Sequence, residues 1–343
     1  MPDRPEEGPA AYPAAALPNE LTATELHVRP APGSAALTIT PARAGWRYLG
    51  FRILEQADMA PVAVGSPDGE TCVVVIGGGG VALDVEGGPL VLEGRSSPFT
   101  GLPWAAYLPP GSAGTLRARP ERSCEPVLVA LASAPRSGRS GTSPAPFVID
   151  PGAVRIEIRG RGNATRQINH ILGPAAPADR LELVEVLTPS GSWSSWPPHK
   201  HDRDAMPDEA VLEEVYYYRF RRPEAWGVQR LYRADRSRDC LWEVRSGDLV
   251  LVPDGYHPFV AAHGDDAYYL NALAGDRRTM ACSFDPDLDW VRQAWETMAV
   301  DPRVPLVGPA GPMQASYIPT PRSQARLRCC ASSVASRSPS ANR

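Results

Sequence analysis

The chain has 343 residues, a length that predicts about two domains. Hydrophobic residues make up 43% and charged residues 22%, which is typical of a globular protein and excludes a wholly disordered chain. The net charge of −4 offers nothing to attract nucleic acid or an anionic membrane, and no stretch reaches the roughly 18 apolar residues that cross a bilayer. Because residues 1–18 are acidic and proline-rich, we expect no secretory signal and a cytoplasmic protein.

Proline is frequent, at 38 residues, and this density favours short strands and turns over long helices. Residues 1–33 have little periodicity, which predicts a flexible tail. From Leu37 onward, short apolar segments alternate with turn sequences, and their spacing predicts a first block of strands. The predicted strands of this block are Ala36–Thr40, Arg47–Leu54, Thr71–Ile76, Gly80–Val85, Leu90–Glu93, Ala105–Leu108, Gly114–Arg119 and Pro126–Ala132.

A segment rich in Ser, Gly, Pro and Arg, Ala134–Pro146, predicts a domain boundary. Beyond it the strand pattern resumes, so we predict an all-β fold of two tandem β-sandwich barrels, residues 34–146 and 147–306, followed by a disordered tail at 307–343. The similar rhythm of the two blocks hints at an internal duplication. A helix is expected at Pro286–Thr297. The predicted strands of the second block are Val154–Arg159, Leu181–Thr188, Glu213–Phe220, Gln229–Arg233, Leu241–Val244, Asp248–Val252 and Tyr268–Ala272.

The densest signal for metal binding lies in the second block. His199 and His201 flank one residue, and on a strand such positions face the same side. In the strand that follows, alternation places Glu214 on the same face as Tyr216 and Tyr218, and His257 stands just beyond a third strand. An isolated His-x-His is most often structural, but the order and spacing of these four residues favour a His3Glu site for Zn, Mn, Fe or Ni.

Longer segments around these residues resemble the 5-deoxy-glucuronate isomerase family of the cupin superfamily. The most specific of them is the run Pro189–Asp202, with its Trp-Pro-Pro-His-Lys-His sequence. The resemblance covers about residues 37–300 of this chain. It also includes Leu212–Tyr218, Val252–Phe259, Arg159–Arg166, Tyr268–Asn271 and Ala44–Phe51.

The resemblance implies a bicupin, with two jelly-roll barrels and the metal in the C-terminal one. The first block agrees, since it contains no His-x-His, and we expect it to be a degenerate barrel with a packing role. The implied reaction converts the aldose 5-deoxy-D-glucuronate to the ketose 5-dehydro-2-deoxy-D-gluconate, in myo-inositol catabolism. A divalent metal would stabilise the enediolate. The ligand types favour zinc, with manganese or iron as alternatives.

Several residues could serve as the general base or as substrate contacts. Candidates for proton transfer or hydrogen bonding are Lys200, Tyr216, Tyr218 and Tyr256, although a regular strand would point Lys200, the one lysine of the chain, away from its flanking histidines. The substrate carboxylate requires a cation, and Arg166, Arg219 or Arg230 could provide it, as could Lys200. Asp202 and Asp254 could orient the ligand histidines. We expect His27 and His170 to be structural and His263 to be exposed.

Three functions are compatible with this pattern. The first is the isomerase. The second is another cupin enzyme, either a related uronate ketol-isomerase or an iron-dependent oxygenase. The third is a non-catalytic sugar-binding cupin, which the complete set of ligand types disfavours. The expected partner is a small sugar acid rather than nucleic acid or membrane, and a homo-oligomer is compatible with the sequence.

Overall fold

The structure, a computed structural model, describes residues 20–56, 60–119, 126–138, 143–309 and 311–312. Strands dominate these residues, which confirms the all-β prediction. The helix expected at Pro286–Thr297 is shorter, spanning Trp290–Ala294 (α3), with a 3-10 turn at Trp295–Thr297. No helix in the described ranges is long and apolar enough to cross a membrane. The two other α-helices of these ranges are α1 (Ala23–Leu26) and α2 (Pro41–Ala44).

The N-terminal half forms a ten-stranded sheet. Its strands are β2 (Leu37–Ile39), β3 (Gly50–Gln56), β4 (Val62–Ser66), β5 (Gly69–Gly77), β6 (Gly79–Val85), β7 (Gly88–Arg95), β8 (Ala105–Leu108), β9 (Ser112–Arg119), β10 (Val127–Pro135) and β11 (Phe147–Ile149). The main path of the sheet is β2-β3-β10-β5-β4-β9-β6-β7, and β8 pairs with both β5 and β11.

The C-terminal half forms a seven-stranded sheet, ordered β1-β20-β17-β22-β14-β13-β12, and a four-stranded sheet, ordered β15-β21-β18-β19. Two further pairs, β16 with β23 and β24 with β25, complete it. The strands are β1 (His27–Val28), β12 (Arg155–Arg159), β13 (Arg166–Leu172), β14 (Leu181–Thr188), β15 (Trp193–Ser194), β16 (His199–Lys200), β17 (Leu212–Phe220), β18 (Trp226–Tyr232), β19 (Asp239–Arg245), β20 (Leu249–Val252), β21 (Phe259–Ala261), β22 (Ala267–Gly275), β23 (Ser283–Phe284), β24 (Val307–Gly308) and β25 (Gly311–Pro312).

The structure differs from the predicted domain bounds because the halves exchange strands. β1 lies within the predicted flexible tail yet pairs with β20 of the C-terminal half, where His27 Nε2 is 2.9 Å from Asp248 Oδ2. β11 follows the predicted boundary at 146 yet pairs with β8 of the N-terminal half. Such long-range pairings leave no local sequence signal. Strands β24 and β25 likewise fall within the predicted C-terminal tail. The remainder of both tails, 1–19 and 313–343, lies outside the described residues.

The interiors of the two halves have different chemistry. In the N-terminal half, buried aliphatic side chains such as Val73, Val75 and Leu83 form one cluster. In the C-terminal half, the corresponding space holds buried tyrosines, including Tyr216 and Tyr218, together with histidine and glutamate side chains. A separate core of apolar residues from both halves joins the two sheets. An aliphatic interior offers no ligand atoms, so the candidate chemistry lies in the C-terminal half.

Two glutamates, Glu70, which is buried, and Glu213, which is half-buried, connect the halves reciprocally. The carboxylate of Glu70, in the N-terminal half, accepts hydrogen bonds from the backbone N–H groups of residues 179–181 at 2.6 to 2.8 Å. The carboxylate of Glu213, in the C-terminal half, accepts them from residues 47–49 at 2.6 to 2.9 Å. Each carboxylate accepts hydrogen bonds from three backbone donors, which would otherwise lack these acceptors. These contacts fix the position of each half against the other.

We expect Glu213→Ala to lower the free energy of unfolding by about 2 kcal/mol, because it removes the acceptor of three backbone N–H groups, two of which are partly buried. Urea denaturation followed by circular dichroism measures the change. The control is Glu243→Ala, which removes an exposed partner of Arg245 and is expected to change stability by less than about 0.5 kcal/mol. Equal stability of the two variants would contradict the role assigned to Glu213.

Another glutamate is buried without a hydrogen-bond partner in the described part of the chain. Glu182 on β14 is 1% exposed, and neither of its carboxylate oxygens has a hydrogen-bond partner among the described residues. Burial raises the pKa of Glu182 to about 7, although the charge of Arg278 acts in the opposite direction. The folded protein therefore binds a proton at this position that the unfolded chain releases at lower pH. Stability is lost as the pH rises from the unfolded pKa, near 4.5, to the folded pKa, near 7.

We expect Glu182→Gln to remove this pH dependence. Relative to the original protein, the variant should gain roughly 2 kcal/mol of stability between pH 5 and pH 8, because its amide does not ionise. Urea denaturation at both pH values gives the difference, and Glu224→Gln, at an exposed position, serves as the control. If Glu182→Gln follows the pH profile of the original protein, the carboxyl group is not buried in its neutral form.

Candidate metal centre

The structure brings four side chains together inside the C-terminal half. His201 Nε2 lies 2.9 Å from Glu214 Oε2, and His257 Nε2 lies 3.3 Å from the same oxygen. The ring of His199 is centred 4.7 Å from that of His257. His201, Glu214 and His257 are 6%, 4% and 0% exposed, and their ligand atoms lie within 4.8 Å of one another. The cluster therefore has the compactness that a metal ion requires.

Local strand geometry explains how these side chains converge. His199 and His201 lie on and just after β16, two positions apart, and therefore face the same side. β17 pairs with β20 so that Glu214 lies opposite Val252, and the turn after β20 carries His257. Asp202 Oδ2 accepts the backbone N–H of Gly255 at 2.8 Å, which ties this turn to the segment that carries the other two histidines.

The hydrogen bonds of the two most buried histidines fix which nitrogen faces the centre. Nδ1 of His201 lies 2.9 Å from the carbonyl oxygen of Leu212, and Nδ1 of His257 lies 2.9 Å from that of Gly255. Since a carbonyl only accepts, each Nδ1 carries a proton and donates it. In the neutral ring each Nε2 then carries a lone pair, and the two Nε2 atoms lie 2.9 and 3.3 Å from Glu214 Oε2.

This arrangement has more acceptors than donors. His257 Nε2 is buried and has no hydrogen-bond partner among the described residues. Two lone pairs and a carboxylate that converge in a buried space repel one another unless a proton or a metal cation lies between them. Neutral imidazole and carboxylate are the donors that zinc, manganese and iron accept. The residues present therefore fit a divalent metal.

The electrostatics of the cluster keep two imidazoles neutral. Burial holds the pKa of His199 well below its ordinary value, and the charges of His257 and His201 act in the same direction. Burial also lowers the pKa of His257 to about 4, even though Glu214 opposes this. For His201, burial lowers the pKa, but the hydrogen bond and the charge of Glu214 raise it overall. His199 and His257 are thus available as neutral ligands at neutral pH.

Two of the three tyrosines considered from sequence lie beside the cluster. Tyr216 and Tyr218 share the face of Glu214, and the ring of Tyr216 is 5.8 Å from that of His257. The hydroxyl of Tyr216 is 2.9 Å from Ser195 Oγ, whereas that of Tyr218 donates to Gln229 Oε1 at 2.5 Å. Burial raises the pKa of both phenols well above the ordinary value. They are therefore neutral donors rather than phenolates.

Tyr256 occupies a different environment. Its ring packs 5.3 Å from that of Tyr232, and the two backbones form an isolated bridge. The hydroxyl of Tyr232 donates to Asp285. Because Tyr256 is packed against this pair, its described contacts support the turn that carries His257 rather than a role in proton transfer.

The contacts of Lys200 exclude it as a general base. Its ammonium donates to Asp202 Oδ1 at 2.5 Å and to Glu209 Oε1 at 2.7 Å. Burial lowers the pKa of Lys200, but these two hydrogen bonds raise it above its ordinary value overall. A lysine held protonated between two carboxylates neither accepts a proton nor is free for a substrate carboxylate. Its position opposite the flanking histidines follows the strand alternation.

Of the three arginines considered for the substrate carboxylate, the structure places only Arg166 near the cluster. Arg166 is 5% exposed and donates to the carbonyl oxygen of Trp196. Arg219 points to the opposite face of β17 from Glu214, since the two positions are five apart. Arg230 is 41% exposed and forms a bidentate ion pair with Asp239 at 2.6 and 2.8 Å. Both are corrections to the expected substrate contacts.

The two aspartates considered as partners of the histidines act differently. Asp202 bonds to Lys200 and to the Gly255 backbone, so it positions His257 only through the turn. Asp254 pairs with Arg233 and Arg238 at 2.8 and 2.6 Å. Backbone carbonyls, rather than carboxylates, accept the Nδ1 protons of His201 and His257.

Comparison with known proteins identifies the family of this chain. A sequence profile of the KduI/IolB family matches residues 26–291. The chain belongs to the KduI/IolB family. It is 40% identical over 258 residues to the 5-deoxy-glucuronate isomerase of Geobacillus kaustophilus, covering 75% of this chain and 90% of that protein. It is 34% identical to the enzyme of the same name from Listeria innocua, over 78% of this chain and 96% of that one.

A solved structure shares the fold of this KduI/IolB chain. The crystal structure of an IolB-like protein from Salmonella typhimurium LT2 superposes with a TM-score of 0.71 at 32% identity. The match covers 78% of this chain and 99% of that protein. Strands β1 to β23 lie within residues 26–291, which the family profile matches.

Several residues of this KduI/IolB site carry little sequence signal. Ser195 has a φ of 48°, a left-handed conformation that places its hydroxyl against Tyr216. Tyr269 donates to Ser194 Oγ at 3.0 Å, and Gln229 joins Tyr218 to the carbonyl oxygen of His257. Serine and glutamine are common in turns and strands, so only the three-dimensional contacts reveal them. Tyr269 could have been found, since it lies in a segment that resembles the family.

We expect Glu214→Ala and His201→Ala to lose the metal while remaining folded, because each removes a ligand atom from a side chain whose neighbours are otherwise unchanged. Elemental analysis after dialysis gives the metal content per chain, and circular dichroism checks the fold. His263→Ala, which changes a histidine in a separate surface turn, should retain the metal. Full metal content in Glu214→Ala would show that Glu214 is not a ligand.

Proposed function

We propose that this chain is a metal-dependent aldose–ketose isomerase that converts 5-deoxy-D-glucuronate to 5-dehydro-2-deoxy-D-gluconate. The observation that carries the proposal is the convergence of two histidine lone pairs and the Glu214 carboxylate in a buried space beside His199. The names of the relatives from Geobacillus and Listeria support the substrate and the reaction. His199, His201, Glu214 and His257 would hold a divalent metal, with zinc as our first choice.

The reaction moves one proton between two carbons and one between two oxygens, and it changes no overall oxidation state. A proton leaves the hydroxyl-bearing carbon next to the aldehyde and one is returned to the former aldehyde carbon, while the hydroxyl proton is lost and the former aldehyde oxygen gains one. The metal would supply a positive charge that stabilises the enediolate oxygens. Three neutral imidazoles and one carboxylate leave a divalent site with a net charge of +1, which favours an anionic intermediate.

The chain's own residues would complete this environment. Tyr216 is neutral, buried and adjacent to His257, so its hydroxyl can donate to a developing oxyanion. Ser195 holds that hydroxyl in place at 2.9 Å. Arg166 provides a buried positive charge on the same side of the barrel. Lys200 does not act as the general base, since it is protonated and held by two carboxylates.

The proposal also concerns the partner, the metabolic setting, the location and the oligomeric state of the protein. A small sugar acid is the partner, myo-inositol catabolism is the metabolic setting, and a cytoplasmic location and a homo-oligomeric state stay predictions. A related uronate ketol-isomerase, an iron-dependent oxygenase and a sugar-binding protein are outcomes of the experiment below.

We expect purified protein with about one divalent metal per chain to convert 5-deoxy-glucuronate to the ketose without oxygen. Proton and carbon NMR in deuterated water follow the conversion, and solvent deuterium in the product indicates an enediolate rather than a hydride shift. Removal of the metal with a chelator should abolish turnover, and added zinc should restore it. Metal retention without turnover of this sugar would redirect the assignment to another uronate or to an oxygenase. Absence of both metal and turnover would favour a binding protein.

A further inference from the structure

Two arginines lie directly opposite each other at the edge of the seven-stranded sheet. In the antiparallel pairing of β12 with β13, Arg159 is the partner of Arg166. Residues directly opposite in such a pair point to the same face, with their β-carbons about 5 Å apart. Like charges at these positions destabilise a sheet unless an opposite charge compensates them. The pairing therefore raises the question of what anion lies beside it.

The protein itself compensates these charges incompletely. Nη1 of Arg166 donates to the carbonyl oxygens of Ala164 and Trp196, both at 3.1 Å, and no carboxylate of the described residues forms an ion pair with it. Arg159 bonds Glu157 through Nε at 2.7 Å, and Glu157 also serves His170. Burial lowers the pKa of Arg166 to about 10, and the charge of Arg159 acts in the same direction. Arg166 is still protonated at neutral pH.

The pair lies next to the metal centre. Residues that pair across neighbouring strands lie on the same face of the sheet, and four strands link Arg166 to Tyr218 in this way. Ile168 pairs with Val186, Val186 with Tyr269, and Tyr269 with Tyr218. Arg166 is two positions before Ile168, so it shares the face of Tyr218 and Glu214. The charges of Arg166 and Arg159 both contribute to the lowered pKa of His199. Proximity to His199 and incomplete compensation together point to an external anion.

Arg159 also reaches a cavity. It lines a space of about 640 Å³ between the end of β12 and the α3 region, together with Phe284. The ring of Phe284 is centred 6.1 Å from that of His199. Arg159 is 43% exposed, so part of its guanidinium is open to a ligand that approaches the cluster from this side.

We propose that Arg159 and Arg166 together bind the carboxylate of the sugar acid, and that Arg159 makes the site select a uronate over a neutral aldose. This inference rests on the proposed function for the identity of the sugar. A carboxylate would remove the repulsion between the two guanidinium groups, and the planar fork of arginine matches its two oxygens. With the carboxylate held at the sheet edge, the aldehyde end of an extended sugar acid points toward the histidines.

The test compares Arg159→Gln with Arg155→Gln. Arg155 is on the same strand and the same face and also contacts Glu157, but it lies opposite His170, so it serves as the matched control. Each metal-loaded variant is assayed with 5-deoxy-glucuronate and with the neutral analogue in which a hydroxymethyl group replaces the carboxylate. Binding of both compounds is also measured by calorimetry. Metal content and thermal unfolding show that both variants are intact.

We expect Arg159→Gln to lose about 10- to 100-fold in kcat/KM for the uronate, mainly through KM, since one charge-assisted hydrogen bond is removed. The neutral analogue should change less than about twofold, as should both compounds with Arg155→Gln. An unchanged KM for the uronate, an equal loss with the neutral analogue, or an equal effect of Arg155→Gln would overturn the assignment.

The two proposals fail in different ways. Without turnover by the original protein, a preference for the uronate in binding that Arg159→Gln removes would keep the arginine site and reject the isomerase. Normal turnover that Arg159→Gln leaves unchanged would keep the isomerase and reject the arginine site. If the original protein binds neither compound, the arginine site is also rejected.

Discussion

The alternation of strand β17 is the constraint on which both the interface and the candidate site depend. Glu213 and Glu214 are consecutive, so their side chains point to opposite faces of the sheet. Glu213 accepts hydrogen bonds from the backbone N–H groups of residues 47–49, while Glu214 faces the histidines. A shift of one residue in register would exchange the two carboxylates. The contact that orders the halves therefore also fixes the carboxylate of the metal centre.

The N-terminal half has an equivalent interface glutamate but no metal-binding cluster among the described residues. Glu70 on β5 accepts hydrogen bonds from three backbone N–H groups of the other half, as Glu213 does. The order β2-β3-β10-β5-β8-β11 in one half corresponds to β13-β14-β22-β17-β20-β1 in the other. This correspondence is what an internal duplication would produce. Inside the N-terminal half, however, Val73 and Val75 stand where β17 carries Tyr216 and Tyr218. One half keeps the interface contact and a packed core, and the other carries the site.

The features that could be predicted from sequence depend on local periodicity. The spacing of His199 and His201, and the face shared by Glu214 and Tyr216, follow from a two-residue repeat and hold in the structure. The choice among Arg166, Arg219 and Arg230 could not be made, because it depends on which strand lies opposite and which face is inside. The alternation that points Glu214 toward the histidines points Arg219 to the opposite face, so the sequence alone could have excluded Arg219 as a substrate contact.

Other features depend on contacts between distant segments. The strand exchange by β1 and β11 joins residues more than 200 positions apart in one case, and no local pattern encodes it. Glu213 reads as one of two adjacent acids, a pattern typical of a solvated surface, yet its carboxylate accepts three backbone hydrogen bonds across the interface. The role of Lys200 similarly depends on Glu209, which an intervening turn brings to within 2.7 Å.

The charges of the C-terminal interior form a consistent set. Burial keeps Tyr216 protonated and His257 neutral, so the groups beside the centre are donors and ligands rather than competing ions. Glu214 is the carboxylate of the cluster, whereas Arg166 and Arg159 add positive charge on the same side. Glu157 partly compensates Arg159, whereas no carboxylate of the described residues forms an ion pair with Arg166, and a divalent cation would add to this buried positive charge. The low dielectric of a buried site strengthens the interactions of an uncompensated charge. Arg166 therefore favours a negatively charged ligand over a neutral one, independently of any contact to hydroxyl groups.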